Sequence, residues 1–230
     1  MKKNIQKRVL PAIMFAALSW IPAATQAQVV ASVGGDLVSS YIWRGAYCGG
    51  VSIQPALSLS AGGFSLSAWG SVGFTAGYTE EYDFTLGYGT GGFSAAITDY
   101  WFNVSDNYFN YRSDETAHMF EATVAYDFGP LALSWNTFFA GNDFDSRGER
   151  AYSTYVQASV PFALGGVGMK AELGLTAWDG LYSDRLNVVN AGLTGSKEIR
   201  ITDSFSVPAF TKVVFNPYGQ QMYFVFGISL

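Results

Sequence analysis

The stretch Phe64-Ser-Leu-Ser-Ala-Trp-Gly-Ser-Val-Gly-Phe74 decides the fold. Phe64, Leu66, Ala68, Gly70, Val72 and Phe74 share one parity, and Ser65, Ser67, Trp69, Ser71 and Gly73 share the other. Such a period of two is the signature of a β-strand with unlike faces. The apolar face is bulky at its ends and small in its middle. A sandwich core would concentrate its bulk at mid-strand. A strand that crosses a bilayer instead places aromatic rings at the two water–lipid interfaces, about ten residues apart.

The pattern repeats along the chain. Leu131, Leu133, Trp135, Thr137 and Phe139 oppose Ala132, Ser134, Asn136 and Phe138, and Met222, Phe224, Phe226, Ile228 and Leu230 oppose Tyr223, Val225, Gly227 and Ser229. Read this way, the sequence predicts about twelve strands, the first over 30–43 and the last over 222–230. The gaps between them are tight and long by turns. Tight gaps fall at Gly62-Gly63, Gly91-Gly92, Gly129-Pro130, Gly165-Gly166 and Thr202-Asp203. Longer ones fall at 45–50, 75–81, 103–116, 141–150, 179–187 and 216–221. Up-and-down barrels of the bacterial outer membrane have short periplasmic turns and longer external loops. The expected fold is therefore all-β, a closed antiparallel up-and-down transmembrane β-barrel in a single domain.

Composition agrees. Residues 1–27 begin with the basic MKKNIQKR, continue through the apolar VLPAIMFAALSWIPAA and end in Thr25-Gln26-Ala27, the form of a secretory signal cleaved after Ala27. Residues 28–230 then form the barrel. Loss of Lys2, Lys3, Lys7 and Arg8 from 13 basic residues leaves nine against 18 acidic ones, a formal charge of −9. That balance argues against nucleic acid, whose phosphates need a basic face. Hydrophobic residues make up 49% and charged residues 13%, yet after the signal no apolar run approaches the ~20 residues of a membrane helix. Export, low charge and the absence of a helical span point to the Gram-negative outer membrane, with its lipid as the surrounding partner.

The charges on the face opposite the lipid carry the functional reading. By parity these are Asp36, Arg44, Asp83, Glu121, Asp127, Lys170, Glu172 and Lys212. In hydrocarbon, Lys or Arg at mid-depth would cost ~2–4 kcal/mol. A wet interior of opposed charges removes that penalty, so these residues are the expected lining of a pore for small hydrophilic solutes or ions. An interior ion-pair network that plugs a closed barrel is the other arrangement compatible with the same charges.

The stretch Leu37-Val-Ser-Ser-Tyr-Ile-Trp-Arg-Gly45 resembles the opening signature of a family of exported barrels, in which an S-x-Y-x-x-R-G element precedes a loop. The Pro-containing Ser52-Ile-Gln-Pro-Ala56, the aromatic Ala68-Trp-Gly-Ser71, and the acidic Glu81-Tyr-Asp83 followed by Gly87-Tyr88 continue the likeness. Asp99-Tyr-Trp-Phe102 and Tyr155-Val-Gln-Ala-Ser-Val-Pro161 echo it further on. The chain is thus similar to the TorF-type porins, small outer-membrane barrels. The resemblance implies a porin-like channel and carries over no catalytic residue. After Arg-Gly the family usually has a polar loop, whereas this chain has Ala46-Tyr-Cys-Gly-Gly50.

Motifs for other chemistry are incomplete. Cys48 has no second cysteine to pair with and no base near it in sequence. The single histidine, His118, lacks recognisable triad partners and is expected at the headgroup interface. Asp143-Phe-Asp-Ser-Arg-Gly148 starts like a calcium loop, but Arg147 stands at the third ligand position and Thr154 at the twelfth. Gly87-Tyr-Gly-Thr-Gly-Gly92 leads into no helix, so a hairpin turn explains it better than a phosphate loop. No enzyme activity, cofactor or metal is expected, and the oligomeric state is left open. The leading function is passive diffusion through the lumen. A non-conducting barrel acting through loops such as 103–116, with Tyr108, Phe109 and Tyr111, is the alternative.

Overall fold

The computed structural model describes residues 28–230 other than 76, 77, 79, 104–106, 113, 114 and 204. The expected export signal lies outside the described residues. The described residues form fourteen strands: β1 (Val30–Val38), β2 (Tyr41–Trp43), β3 (Ala46–Gly49), β4 (Ser52–Ala61), β5 (Phe64–Gly73), β6 (Glu80–Thr90), β7 (Phe93–Asn103), β8 (His118–Asp127), β9 (Ala132–Gly141), β10 (Thr154–Leu164), β11 (Val167–Thr176), β12 (Asn187–Arg200), β13 (Ser206–Asn216) and β14 (Gln221–Ser229).

Twelve of them form one closed barrel in which each strand pairs antiparallel with its neighbours. Closure joins β1 to β14 through Asp36↔Ser229, Leu37↔Ile228 and Val38↔Gly227. The amides of Gly35 and Leu230 extend that seam by exchanging hydrogen bonds of 3.2 and 2.9 Å. Closure leaves the twelve barrel strands, among the described residues, without an open sheet edge.

The tight connections have a simple local cause. Gly62 and Gly63 (φ 58° and 89°), Gly91 and Gly92 (55° and 88°), and Gly165 and Gly166 (59° and 78°) all have positive φ. Two successive positive φ values make the type I′ turn, whose twist matches that of the flanking strands. All the tight turns lie at one end of the barrel, with the chain's C-terminus, and the longer connections lie at the other.

The two faces sort as their alternation dictates. Leu57, Leu66, Phe84, Leu86, Ile97, Val124, Trp135, Leu193 and Phe224 point outward and are exposed. Ser52, Ser71, Glu81, Asp83, Thr98, Glu121, Asn136, Glu172 and Asn190 point inward and are buried. This polarity is the reverse of a soluble protein's, in which the buried face is apolar.

In two places the chain departs from the simple up-and-down course. The expected first strand over 30–43 stops at Val38, where Ser39 takes over. Its amide donates to the Phe226 carbonyl and its Oγ accepts from the Phe226 amide at 2.9 Å. Residues 41–49 then turn into the lumen as the β2–β3 hairpin, so the expected loop at 45–50 is mostly strand β3. The second departure is on the outside. Tyr108 and Tyr111, expected on a projecting loop, fold back onto the outer wall against Trp101, His118 and Phe120.

Candidate functional site

The inward hairpin is the feature around which the lumen is organised. Its turn is Arg44-Gly45, with φ 49° and 81°. Arginine in the left-handed region costs of order 1 kcal/mol and persists only where its surroundings fix it. At Gly45 a side chain is impossible for a second reason, since a Cβ would stand 1.9 Å from the Val189 carbonyl oxygen of β12. Asn216 of β13 holds the same tip by donating to the Gly45 carbonyl at 3.1 Å.

Arg44 is fixed by a pocket of acid and rings. Its guanidinium makes a bidentate pair with Glu121 of β8, Nη2 to Oε1 at 2.8 Å and Nη1 to Oε2. It also donates to the Tyr182 hydroxyl and lies 4.5 Å from the centre of the Trp43 ring and 4.7 Å from that of Tyr155. Tyr100 donates to the same Glu121 at 3.1 Å. Trp43 packs on Tyr100, Phe138 and Tyr182 at 5.6, 6.4 and 5.8 Å. The rest of the hairpin meets the other walls, with Tyr41 against Trp69 of β5 and Tyr47 against Tyr223 of β14. The hairpin therefore reaches across the bore and touches wall on every side.

A buried ion pair gains little over an apolar pair of similar shape, because desolvating both ions offsets their attraction. Here it selects a position, since this seat gives the Arg44 guanidinium a bidentate acid and a ring on either side. Tyr78 wedges the hairpin from the loop side. Its ring occupies the space that a Cβ on Gly49 or Gly73 would need, and its hydroxyl bonds Ser71 at 2.6 Å.

Cavities remain on both sides of this crossing. Toward the loops, Trp43, Cys48, Glu81, Phe102, Met119 and Tyr182 line about 240 Å³. Toward the turns, Ser134, Asn136, Gln157, Glu172, Asn190 and Lys212 line about 290 Å³. A further 390 Å³ lies along Ser32, Asp36, Gln54, Ser58, Ser67 and Trp69. Both turn-side cavities are large enough for water, and the one beside Glu172 and Lys212 is lined mainly by polar groups.

Of the eight charges expected inside, seven stand at inward positions of barrel strands and Arg44 stands on the hairpin within the lumen, and they do different things. Arg44 and Glu121 form the seat of the hairpin. Lys170 and Lys212 both bond Glu172, at 3.1 and 2.6 Å, below the hairpin. Asp36 accepts from Ser229 at 2.6 Å beside the seam. Asp127 stands at the turn-side rim and caps the turn by accepting from the Gly129 amide at 2.7 Å. Asp83 lies buried between Trp69 and Tyr100, its cross-strand neighbours. Acids thus gather on β6 and β8, and lysines on β11 and β13 across the bore.

Parity alone could have found Glu81, two residues before Asp83 on the same strand face. Nothing in the sequence foretold that Tyr155 of β10 and Tyr182 of the connection between β11 and β12 would meet at Arg44.

The motifs set aside above have structural roles. His118 is on the outward face. Its Nδ1 is 2.7 Å from Asp99 and its Nε2 is 2.6 Å from the Tyr108 carbonyl, with the Tyr111 ring stacked at 4.4 Å. Nε2 pins the folded-back loop, while Nδ1 ties the ring to the neighbouring strand β7. Asp143 accepts from the Ser153 amide at 2.9 Å and from its hydroxyl. Asp145 bonds Arg147, whose guanidinium beside it holds the carboxyl below its usual range. Among the described residues no three His, Cys, Asp or Glu side chains converge as metal ligands would.

The geometry defines a closed twelve-stranded barrel with a polar bore and an internal hairpin. Compared with known proteins, the chain matches no family model and no curated protein.

Proposed function

We propose that the protein is a narrow outer-membrane channel for small hydrophilic solutes or ions, constricted by the β2–β3 hairpin. The single observation that carries this reading is the inversion of polarity. Apolar side chains cover the outside, while buried charges and amides line a bore with cavities on both sides of the hairpin. Monomeric soluble proteins rarely expose a continuous apolar surface of this extent. In a bilayer it meets acyl chains, and the bore becomes the only wet path across. The longer connections then face the exterior and the glycine turns face the periplasm. The likeness to the TorF-type porins supports the same reading.

Selectivity in such a bore follows the sign of its unpaired charge. The lysines neutralise Glu172, and Arg44 neutralises Glu121. One lysine charge is then left over against four inward acids without a basic partner among the described residues, Asp36, Glu81, Asp83 and Asp127. Cations are therefore favoured, more strongly in dilute salt because screening weakens as ionic strength falls. The test is the reversal potential of the refolded protein in a planar bilayer with unequal KCl on its two sides. Cation preference that falls in Glu81→Gln is expected. Chloride preference would overturn the assignment of the wall charges, and a silent membrane would leave a structural barrel in place of a channel.

A further inference from the structure

We propose that Glu81 and Asp83 form a binding site for small organic cations, carrying a primary ammonium group on a short apolar or aromatic body. The site deepens the channel reading by naming a class of solute, and rests on that reading only for its use in transport.

The two carboxylates alternate along β6 and so share the inward face, separated by roughly 6–7 Å of strand. Glu81 is 3% exposed and Asp83 is 9% exposed. Among the described residues no basic side chain pairs with either, because Arg44 is committed to Glu121 and both lysines to Glu172. Asp83 Oδ1 is buried with no hydrogen-bond partner at all. Buried polar atoms are nearly always satisfied, and an orphaned acceptor beside a second buried acid calls for a donor with positive charge.

The surroundings select the kind of cation. Strand register sets Asp83 between the rings of Trp69 and Tyr100, and Glu81 between Ser71 and Phe102. Tyr41 of the hairpin lies 5.5 Å from Trp69 and comes within reach of Glu81. Aromatic faces attract ammonium groups, most strongly where water is excluded. The 240 Å³ cavity that reaches Glu81 is lined mainly by Trp43, Phe102, Met119, Leu181 and Tyr182, and the Arg44 that also borders it is paired with Glu121. A hydrated metal ion would have to shed water against that lining. An alkyl- or arylammonium ion can place its apolar body there and its charge on Glu81. Asp83, one step deeper, offers a second station toward the turn-side cavity at Trp69.

The test uses the full barrel refolded in detergent micelles, titrated calorimetrically with benzylammonium chloride and separately with neutral benzyl alcohol. Saturable binding of benzylammonium but not of the alcohol is expected. Glu81→Gln and Asp83→Asn should each weaken it by about tenfold or more, the scale of one lost charged hydrogen bond. Asp127→Asn, an acid at the turn-side rim outside the site, should leave it unchanged. No saturable binding, equal binding of the alcohol, or indifference to both β6 substitutions would overturn the proposal. The assay needs no conduction. Binding with a silent bilayer would remove the channel and keep the site, whereas conduction without binding would remove the site and keep the channel.

Discussion

Arg44 and Glu121, 77 residues apart in sequence, meet inside the barrel in a bidentate ion pair that seats an internal hairpin against the opposite wall. Their side chains are 11% and 1% exposed, so neither charge has water to fall back on. The pair converts the first long connection of the barrel from an external loop into a crossbar.

Removing one partner of this pair should cost far more than removing both. Glu121→Gln leaves the Arg44 charge buried without an acid, and such losses typically run to ~3–5 kcal/mol. The penalty falls on the hairpin more than on the barrel, whose strand ladders do not depend on it. Native-state hydrogen exchange at the Trp43 amide should show faster hairpin opening in Glu121→Gln, and slower opening again in the double variant Arg44→Met with Glu121→Leu. Equal exchange in the single and double variants would mean that the pair does not hold the hairpin.

Gly45→Ala should unseat the tip without touching any charge. Its Cβ would collide with the Val189 carbonyl at a backbone φ of 81° that alanine also disfavours. Trypsin cleaves after arginine only where the chain is accessible, so Arg44 in the native hairpin should resist. Cleavage between residues 44 and 45 should become rapid in Gly45→Ala and stay slow in Gly63→Ala, which strains a turn at the far end. Resistance in both variants would contradict the close seat at β12.

The assignment of faces predicts opposite fates for neighbours on β4. Leu57 is outward and 49% exposed at mid-strand, whereas Ser58 faces the turn-side cavity and bonds Ser32 at 2.7 Å. Leu57→Arg should destabilise folding into liposomes by ~2–4 kcal/mol, the depth-dependent penalty for arginine near the bilayer midplane. Ser58→Arg should lose much less, because its guanidinium meets water and Asp36 across the cavity. Denaturant titration of both variants checks the difference, and equal losses would refute the assignment.

The barrel was readable from alternation because each strand carries two unlike faces, and β5, β9 and β14 show them residue by residue. The sorting of connections was readable for the same local reason: paired glycines such as Gly91-Gly92 permit the type I′ turn and little else. The hairpin was not, because residues 30–43 alternate as one continuous strand would. What breaks the strand is Ser39 bonding to Phe226, a contact between the two ends of the chain. One signal was available. Tyr41, Trp43 and Tyr47 would be costly on an exposed loop, and their density marks a segment that finds an interior. The folding back of Tyr108 and Tyr111 onto His118 left no comparable trace, since aromatic rings suit an external loop at the interface equally well.

If the β2–β3 hairpin sets the bore, single-channel conductance should rise when the hairpin is removed. Residues 41–49 would be replaced by a Gly-Ser linker of equal length, with heat-modified migration on gels confirming that the barrel still closes. A conductance several-fold above that of the unmodified protein is expected, together with weaker cation preference, because Tyr41 no longer confines the wall at Glu81. Equal conductance in the two proteins, both folded, would contradict it.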